Sequence, residues 1–225
     1  MATTTRPSPR GKRAPRSDGP STRAAVLEAA GRVFAERGFA EATGKEICER
    51  AGANAAAVNY YFGGKEGLYE EVLIEAHRQM LSMEDLSRII DSRAEPEEKL
   101  RIFLEHIIHT ATHAADLWGV RIFLRELASP TPFVPKFIET TALPKSRKLR
   151  ELVRAITGLA PDSPAVQRAT ALVALPCMGL VLFPEKLRTL LLPATASDAD
   201  GLLDDMLDYM LGGLRALGKR DATRG

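Results

Sequence analysis

Apolar residues recur along this chain at three- and four-residue spacing, and nowhere do they alternate as a half-buried strand requires. Ala25, Ala29, Val33 and Phe34 mark one face of a helix that begins near Ser21, runs to about Arg37 and ends at Gly38. Ile47 and Ala51 share a face of a short helix capped by Thr43. Gly52 supplies the backbone freedom that its end requires. Asn54 is placed to cap a further helix through Ala55, Ala56, Ala57, Val58, Asn59, Tyr60 and Tyr61. A longer helix follows from Lys65 to about Ile89, with Leu68, Val72, Ala76 and Met80 in one stripe. Phe39 is expected to fold back into a small core with Val33, Ile47, Val58 and Phe62.

Glu95 and Pro96 open the next helix, with Leu100, Phe103, Leu104, Ile107, Ile108 and Ala111 apolar. Asp116 to Leu127 forms another, stopped by the turn signal Ser129-Pro130-Thr131-Pro132. Phe133 to Thr157 is helical in character with a break near Pro144, and the last two helices span Pro164 to Phe183 and Asp198 to Leu217. The expected class is all-α, with about nine helices. In the last helix Leu203, Met206, Leu207, Met210, Leu211, Leu214 and Leu217 form a broad apolar face. Together with its apolar neighbour Pro164 to Phe183, it is expected to make a four-helix contact with a second copy, although burial inside the same chain would use the same face.

Helix, glycine turn and helix between Thr43 and Phe62 is the layout of a helix-turn-helix, whose second helix enters a DNA major groove. Small side chains at Ala55, Ala56 and Ala57 allow close approach to base edges, and an alanine methyl can touch a thymine methyl. Asn54 and Asn59 offer amides to bases or phosphates, and Tyr60 and Tyr61 offer hydroxyls to phosphate oxygens. Lys45 and Lys65 each stand at a helix start, where a phosphate is favoured. A plain helical hairpin, with the alanines serving only as packing, fits the same spacing.

The stretch Thr22 to Leu68 resembles the N-terminal domain of the TetR family of bacterial repressors. The resemblance rests on AAxxVFAERGFAEAT (Ala29 to Thr43), EICERAG (Glu46 to Gly52) and NYYFGGKEGLY (Asn59 to Tyr69), in order and at matching spacing. It implies that Thr43, Gly44, Lys45, Ala55, Ala56, Ala57, Asn59, Tyr60, Tyr61 and Lys65 lie on or near DNA. Asn54, Ala56 and Asn59 depart from the family's usual residues, so no relative's operator carries over. Farther on, LRELASPTP (Leu124 to Pro132), after a Trp-containing helix, is similar to the C-terminal domain of the CecR-like (CerR-like) branch. That branch is linked to the control of transport and drug-sensitivity genes. The resemblance implies a homodimer on a palindromic double-stranded operator, released by a small-molecule effector held among the later helices.

Composition adds one asymmetry. The 225 residues carry a net charge of +2, yet residues 1–24 hold six basic residues against Asp18, or +5, leaving −3 for the rest. A basic arm ahead of a DNA-reading head is an electrostatic footprint for phosphate, and residues 1–20 otherwise read as disordered. The domains are expected at residues 1–20 (arm), 21–64 (head) and 65–220 (effector-binding and dimerisation body). Cys48 and Cys177 have no redox or metal spacing and are expected reduced and buried in a cytoplasmic protein. No apolar run follows the basic N-terminus, so no secretory signal is expected. The apolar run Ala171 to Phe183, interrupted by Pro176, is short for a bilayer span.

Candidate pocket residues in the body are Phe103, His106, His109, Trp118, Arg121, Phe123 and Met178, for an amphipathic or aromatic molecule. His106, His109 and His113 share one side of a helix, but no other ligands converge on them, and no metal or cofactor is expected. Arg121 and Arg125 could hold a carboxylate, although pairs with Glu126 or Glu105 are commoner. An enzyme is disfavoured. Gly38…Gly44-Lys45 mimics a phosphate loop, but five residues separate its glycines instead of four, Glu46 replaces Ser or Thr, and no strand precedes it. A helical protein-interaction module without DNA binding is the alternative reading.

Overall fold

The computed structural model describes residues 19–222, with side chains to residue 220. Most of the basic arm, residues 1–18, lies outside the described residues; Gly19 and Pro20 already belong to the first helix. Among the described residues every regular element is helical, in agreement with the all-α expectation. Eleven helices exceed one turn, more than the nine expected, and two four-residue turns of helix accompany them.

Helix α1 (Gly19–Glu41) is broken where Gly38 adopts φ 78°, ψ 174°, so the glycine stops it as the sequence requires. Thr43 caps α2 (Gly44–Arg50), its Oγ1 accepting from Glu46 N at 3.2 Å. Gly52 turns the chain at φ 63°. Helix α3 (Ala57–Phe62) starts two residues later than expected, because Asn54 does not cap it in the usual way. Its Oδ1 accepts from Ala56 N at 2.9 Å and closes a local turn over Ala55 and Ala56.

Helix α4 (Lys65–Met80) is shorter than its apolar stripe implies. Ser82 accepts from Asp85 N and donates to its carboxylate at 2.6 Å, opening a new helix, α5 (Met83–Ile90). This local box overrides the continuing pattern. Helix α6 (Pro96–Thr112) begins on Pro96, as expected, and α7 (Trp118–Ala128) ends at Ser129. Short α8 (Val134–Phe137) runs through a π turn, Ile138–Ala142, into α9 (Leu143–Thr157). The wide turn lies just before Pro144, which has no N–H to give the helical ladder. The remaining helices are α10 (Pro164–Leu182), α11 (Glu185–Leu191), the four-residue α12 (Ala194–Ser197) and α13 (Ala199–Ala222).

Two apolar clusters form. The first unites α1 to α4 through Val26, Val33, Phe34, Ile47, Val58, Leu68 and Val72, with Phe39 packed at its edge. The second joins α5, α6, α9, α10 and α13. Helix α7 belongs to both. Trp118 and Ile122 are buried in the first cluster and Val120 in the second.

The apolar face of α13 turns inward: Leu203, Leu207, Met210, Leu211 and Leu214 are all buried within the chain. It is therefore not the free surface that one reading allowed. Open apolar side chains lie on α10, the other helix of the expected pair, and on α11, where Leu172, Leu175, Leu187, Leu190 and Leu191 are exposed. At 19 residues, α10 is longer than the sequence run and could cross a bilayer by length and composition alone. Its other face, with Val166, Ala169, Val173 and Cys177, is buried against its helical neighbours.

Candidate functional site

The helix-turn-helix presents most of the expected DNA-facing residues to solvent. Thr43, Lys45, Asn54, Ala55, Ala56, Asn59 and Tyr60 are exposed, and Gly44 and Tyr61 are half-buried. Ile47, Cys48 and Val58 anchor the motif from beneath. Ala57 is the exception. It is buried beside Val58, so its methyl packs the head and leaves the approach to bases to Ala55 and Ala56. Lys45 is open, with only a loose 3.9 Å pair to Glu49, and its charge remains available to a phosphate.

Lys65 does something the sequence did not foretell. Its ammonium donates to the carbonyls of Phe39 at 3.0 Å and Ala42 at 3.1 Å, and lies 4.5 Å from the Phe39 ring centroid. These bonds tie the start of α4 to the segment after Gly38, leaving one N–H for anything outside. Lys65→Met is therefore expected to lower stability by about 1–3 kcal/mol, the usual range for leaving buried polar groups unpaired. Chemical denaturation of the full chain checks this.

Helix α7 is the strap between head and body. The Trp118 ring lies against Gly31 of α1, where a Cβ would meet it at 2.4 Å, and its Nε1 donates to Glu28 at 2.9 Å. Arg125 donates to the carbonyls of Ala35 and Glu36, covering the end of the regular part of α1. Buried Glu126 accepts from the Tyr69 hydroxyl and, at 2.8 Å, from Thr131 N in the turn that follows. Burial, then the Glu126 contact, pushes the Tyr69 hydroxyl far above its usual range. Gly119 sits so close to α4 that a Cβ there would meet the Ala76 carbonyl oxygen at 2.7 Å. The Leu124–Pro132 motif is thus a set of fasteners. Its Arg grips α1 and its Glu grips α4.

Beneath α7 lies a cavity of about 460 Å³, within the range of about 300–1,000 Å³ usual for small-molecule sites. Of the candidate pocket residues, Phe103, Phe123 and Met178 line it. The other candidates lie elsewhere. Trp118 is in the head cluster, and Arg121 flanks a separate cleft with Arg32, Glu36 and Asp116. His106 Nε2 lies 3.2 Å from the Met80 carbonyl. His109 and His113 are exposed with rings 4.4 Å apart, and among the described residues no group of three or more metal-ligating side chains converges.

The sequence reading missed the polar end of the cavity. Lys145 of α9 is only 8% exposed, and its ammonium lies 2.5 Å from His77 Nδ1 of α4 and donates to the Leu81 carbonyl. Burial, then the lysine's charge, lowers the His77 pKa to about 4, and burial lowers Lys145 to about 8. At neutral pH the imidazole is thus neutral and the lysine charged. A signal existed: Lys145 falls in register with Leu149 and Leu152 on the buried face of α9, where a charge needs a reason. Cys177 also faces the cavity, its thiol pushed up to about 12 by burial, and both cysteines are free and buried as expected.

A helix-turn-helix head strapped to a helical body that encloses an apolar cavity defines a two-part helical protein of the helix-turn-helix class. Residues 26–72 match the family described as bacterial regulatory proteins, tetR family. Residues 96–214 match the C-terminal domain of the HTH-type transcriptional dual regulator CecR. The chain therefore belongs to the TetR family of bacterial regulatory proteins, with a CecR-type C-terminal domain. Both descriptions are of transcriptional regulators.

Among curated relatives, the probable HTH-type transcriptional regulator YttP of Bacillus subtilis is 25% identical over 134 residues, 59% of this chain and 63% of that protein. BetI 2 of Chromohalobacter salexigens is 38% identical over 74 residues, 33% of each chain. The chain thus spans less than two thirds of the length of these relatives. The fold is shared with the fatty acid degradation regulator FadR of Bacillus halodurans. That match has a TM-score of 0.66 at 20% identity and covers 89% of this chain and 99% of that one.

Proposed function

We propose that this chain is a homodimeric, cytoplasmic repressor that sits on a palindromic operator and leaves it when a small molecule fills the body cavity. In this reading residues 21–64 contact DNA, through Thr43, Gly44, Lys45, Asn54, Ala55, Ala56, Asn59, Tyr60 and Tyr61, joined by the remaining N–H of Lys65 at the start of α4. Residues 65–220 hold the effector and the partner copy. The observation that carries the reading is the double duty of α7. Phe123, Glu126 and Leu127 wall the cavity, while Trp118 and Arg125 on the same helix hold α1 of the head. A ligand that favours one position of α7 therefore favours one position of the head, and differential binding is all that a switch needs.

The exposed leucines of α10 and α11 support the dimer, because large apolar side chains left open on two successive helices mark an interaction site. Two heads related by a two-fold axis require half-sites about one helical turn or a multiple apart. Mobility shift on DNA upstream of the chain's own gene, at fixed salt, tests the reading. Lys45→Ala should weaken binding to every sequence and reduce the salt slope by about 1 per head. Asn59→Ala should relax preference at one position of each half-site. Failure to retard any duplex at low salt would favour the protein-interaction reading instead.

A further inference from the structure

The cavity is apolar along most of its wall and carries charge at Lys145 and Glu126. Its walls are leucines, valines, phenylalanines and methionines, and Lys145 and His77 stand among them. The Lys145 ammonium has three N–H groups. One reaches His77 Nδ1 and another the Leu81 carbonyl, both uncharged acceptors. Among the described residues no carboxylate is paired with it; Glu84 acts on it only from a distance, against the opposing charge of Arg78. A buried cation without a counter-charge is costly. The other charged group in the wall, Glu126, is in the opposite state, since both its oxygens already accept hydrogen bonds from Tyr69 and Thr131. The unmet demand in this cavity is for an anion at Lys145.

His77 sharpens the demand. Its Nδ1 accepts from the ammonium, so the neutral ring carries its proton on Nε2 and has a second donor to offer. Phe123 and Phe137 hold the ring with centroids at 5.6 and 5.4 Å. A carboxylate could take the third N–H of Lys145 while the rest of the molecule lies against the apolar wall. We propose that the effector of this chain is an apolar molecule ending in a single carboxylate, anchored by Lys145 with His77 as the orienting partner. The anchor spans α9 and the last turn of α4, so the acid group acts on the end of the helix that leads to the head. This inference rests on the cavity being the effector site.

The test uses the full-length protein and three probes that share one alkyl chain: decanoate, 1-decanol and decylamine, each below its solubility limit. Calorimetric titration should show decanoate binding about tenfold or more tightly than decanol, the margin of one hydrogen-bonded charge. Decylamine should bind weakest. Lys145→Met should erase the preference for the acid and leave decanol within a few-fold of its original affinity. His77→Gln keeps the lysine; it should reduce decanoate affinity and spare decanol, which secures the test should Lys145→Met fold poorly. Decanol matching decanoate in the unaltered protein, an acid preference that survives both substitutions, or no binding of any probe would each overturn the proposal. Mobility shift on the same samples separates the readings. Decanoate that binds through Lys145 without changing DNA affinity leaves the anchor standing and sinks the release mechanism.

Discussion

Trp118→Ala is expected to destabilise the protein by about 3–5 kcal/mol, the range for removing a buried tryptophan. The ring fills the space opposite Gly31, and its loss also leaves Glu28 without the indole donor. No other side chain can collapse into the gap cheaply, because Gly31 offers none. The effect should exceed simple destabilisation. With the ring gone, α7 keeps its Arg125 and Glu126 contacts but loses its grip on the middle of α1. Denaturant unfolding of the full chain gives the energy. Effector response in a mobility shift, measured where the variant is still folded, should be blunted, since the head no longer follows α7. A fall below about 1 kcal/mol would mean that the strap is held elsewhere.

Leu172→Glu combined with Leu175→Glu is expected to produce a folded monomer that has lost operator binding. Both side chains are about 60% exposed in the single chain, so a charge there costs the isolated fold little. Across a two-fold axis the same charges would meet their own copies on a desolvated surface. Sedimentation at micromolar concentration should show one chain. Operator affinity should fall by about 10²–10⁴-fold, the advantage of linking two heads. A double variant that stays dimeric would remove α10 from the interface.

Much of the head was legible because its signals are local. Thr43, Gly38 and Gly52 each act within a few residues, and the structure places all three as expected. The same locality explains one failure. Ser82 and Asp85 form a cap as readable as that of Thr43, yet the apolar stripe of α4 continues in phase past them and masks the break. Asn54 failed differently. An asparagine that can cap a helix can equally close a two-residue turn, and only the path of the chain decides which it does.

Long-range partners left weaker traces. Periodicity shows that α13 has a face to bury, and it carries no information on whether the partner is another copy or α6 and α9. Trp118 reads in sequence as a pocket aromatic, since nothing near it points to a glycine 87 positions upstream. The pair of Lys145 and His77 joins residues 68 positions apart. Each alone is one basic residue on an amphipathic helix, and their meaning arises only when α4 and α9 lie side by side.

The π turn at Ile138–Ala142 holds one residue more per turn than the helices on either side. Phe137, Ile138 and Ala142 all face the cavity from this stretch. Deleting one residue here would restore a regular helix and leave the helices on either side in nearly the same phase, because the wide turn takes up the extra residue by itself. Ile138–Ala142 would present a different set of side chains to the cavity, while Phe137 before the turn and Lys145 after it kept their places. Single-residue length changes at this point would thus reshape the lining without rebuilding the scaffold, an economical way for descendants of one gene to diverge in what they detect.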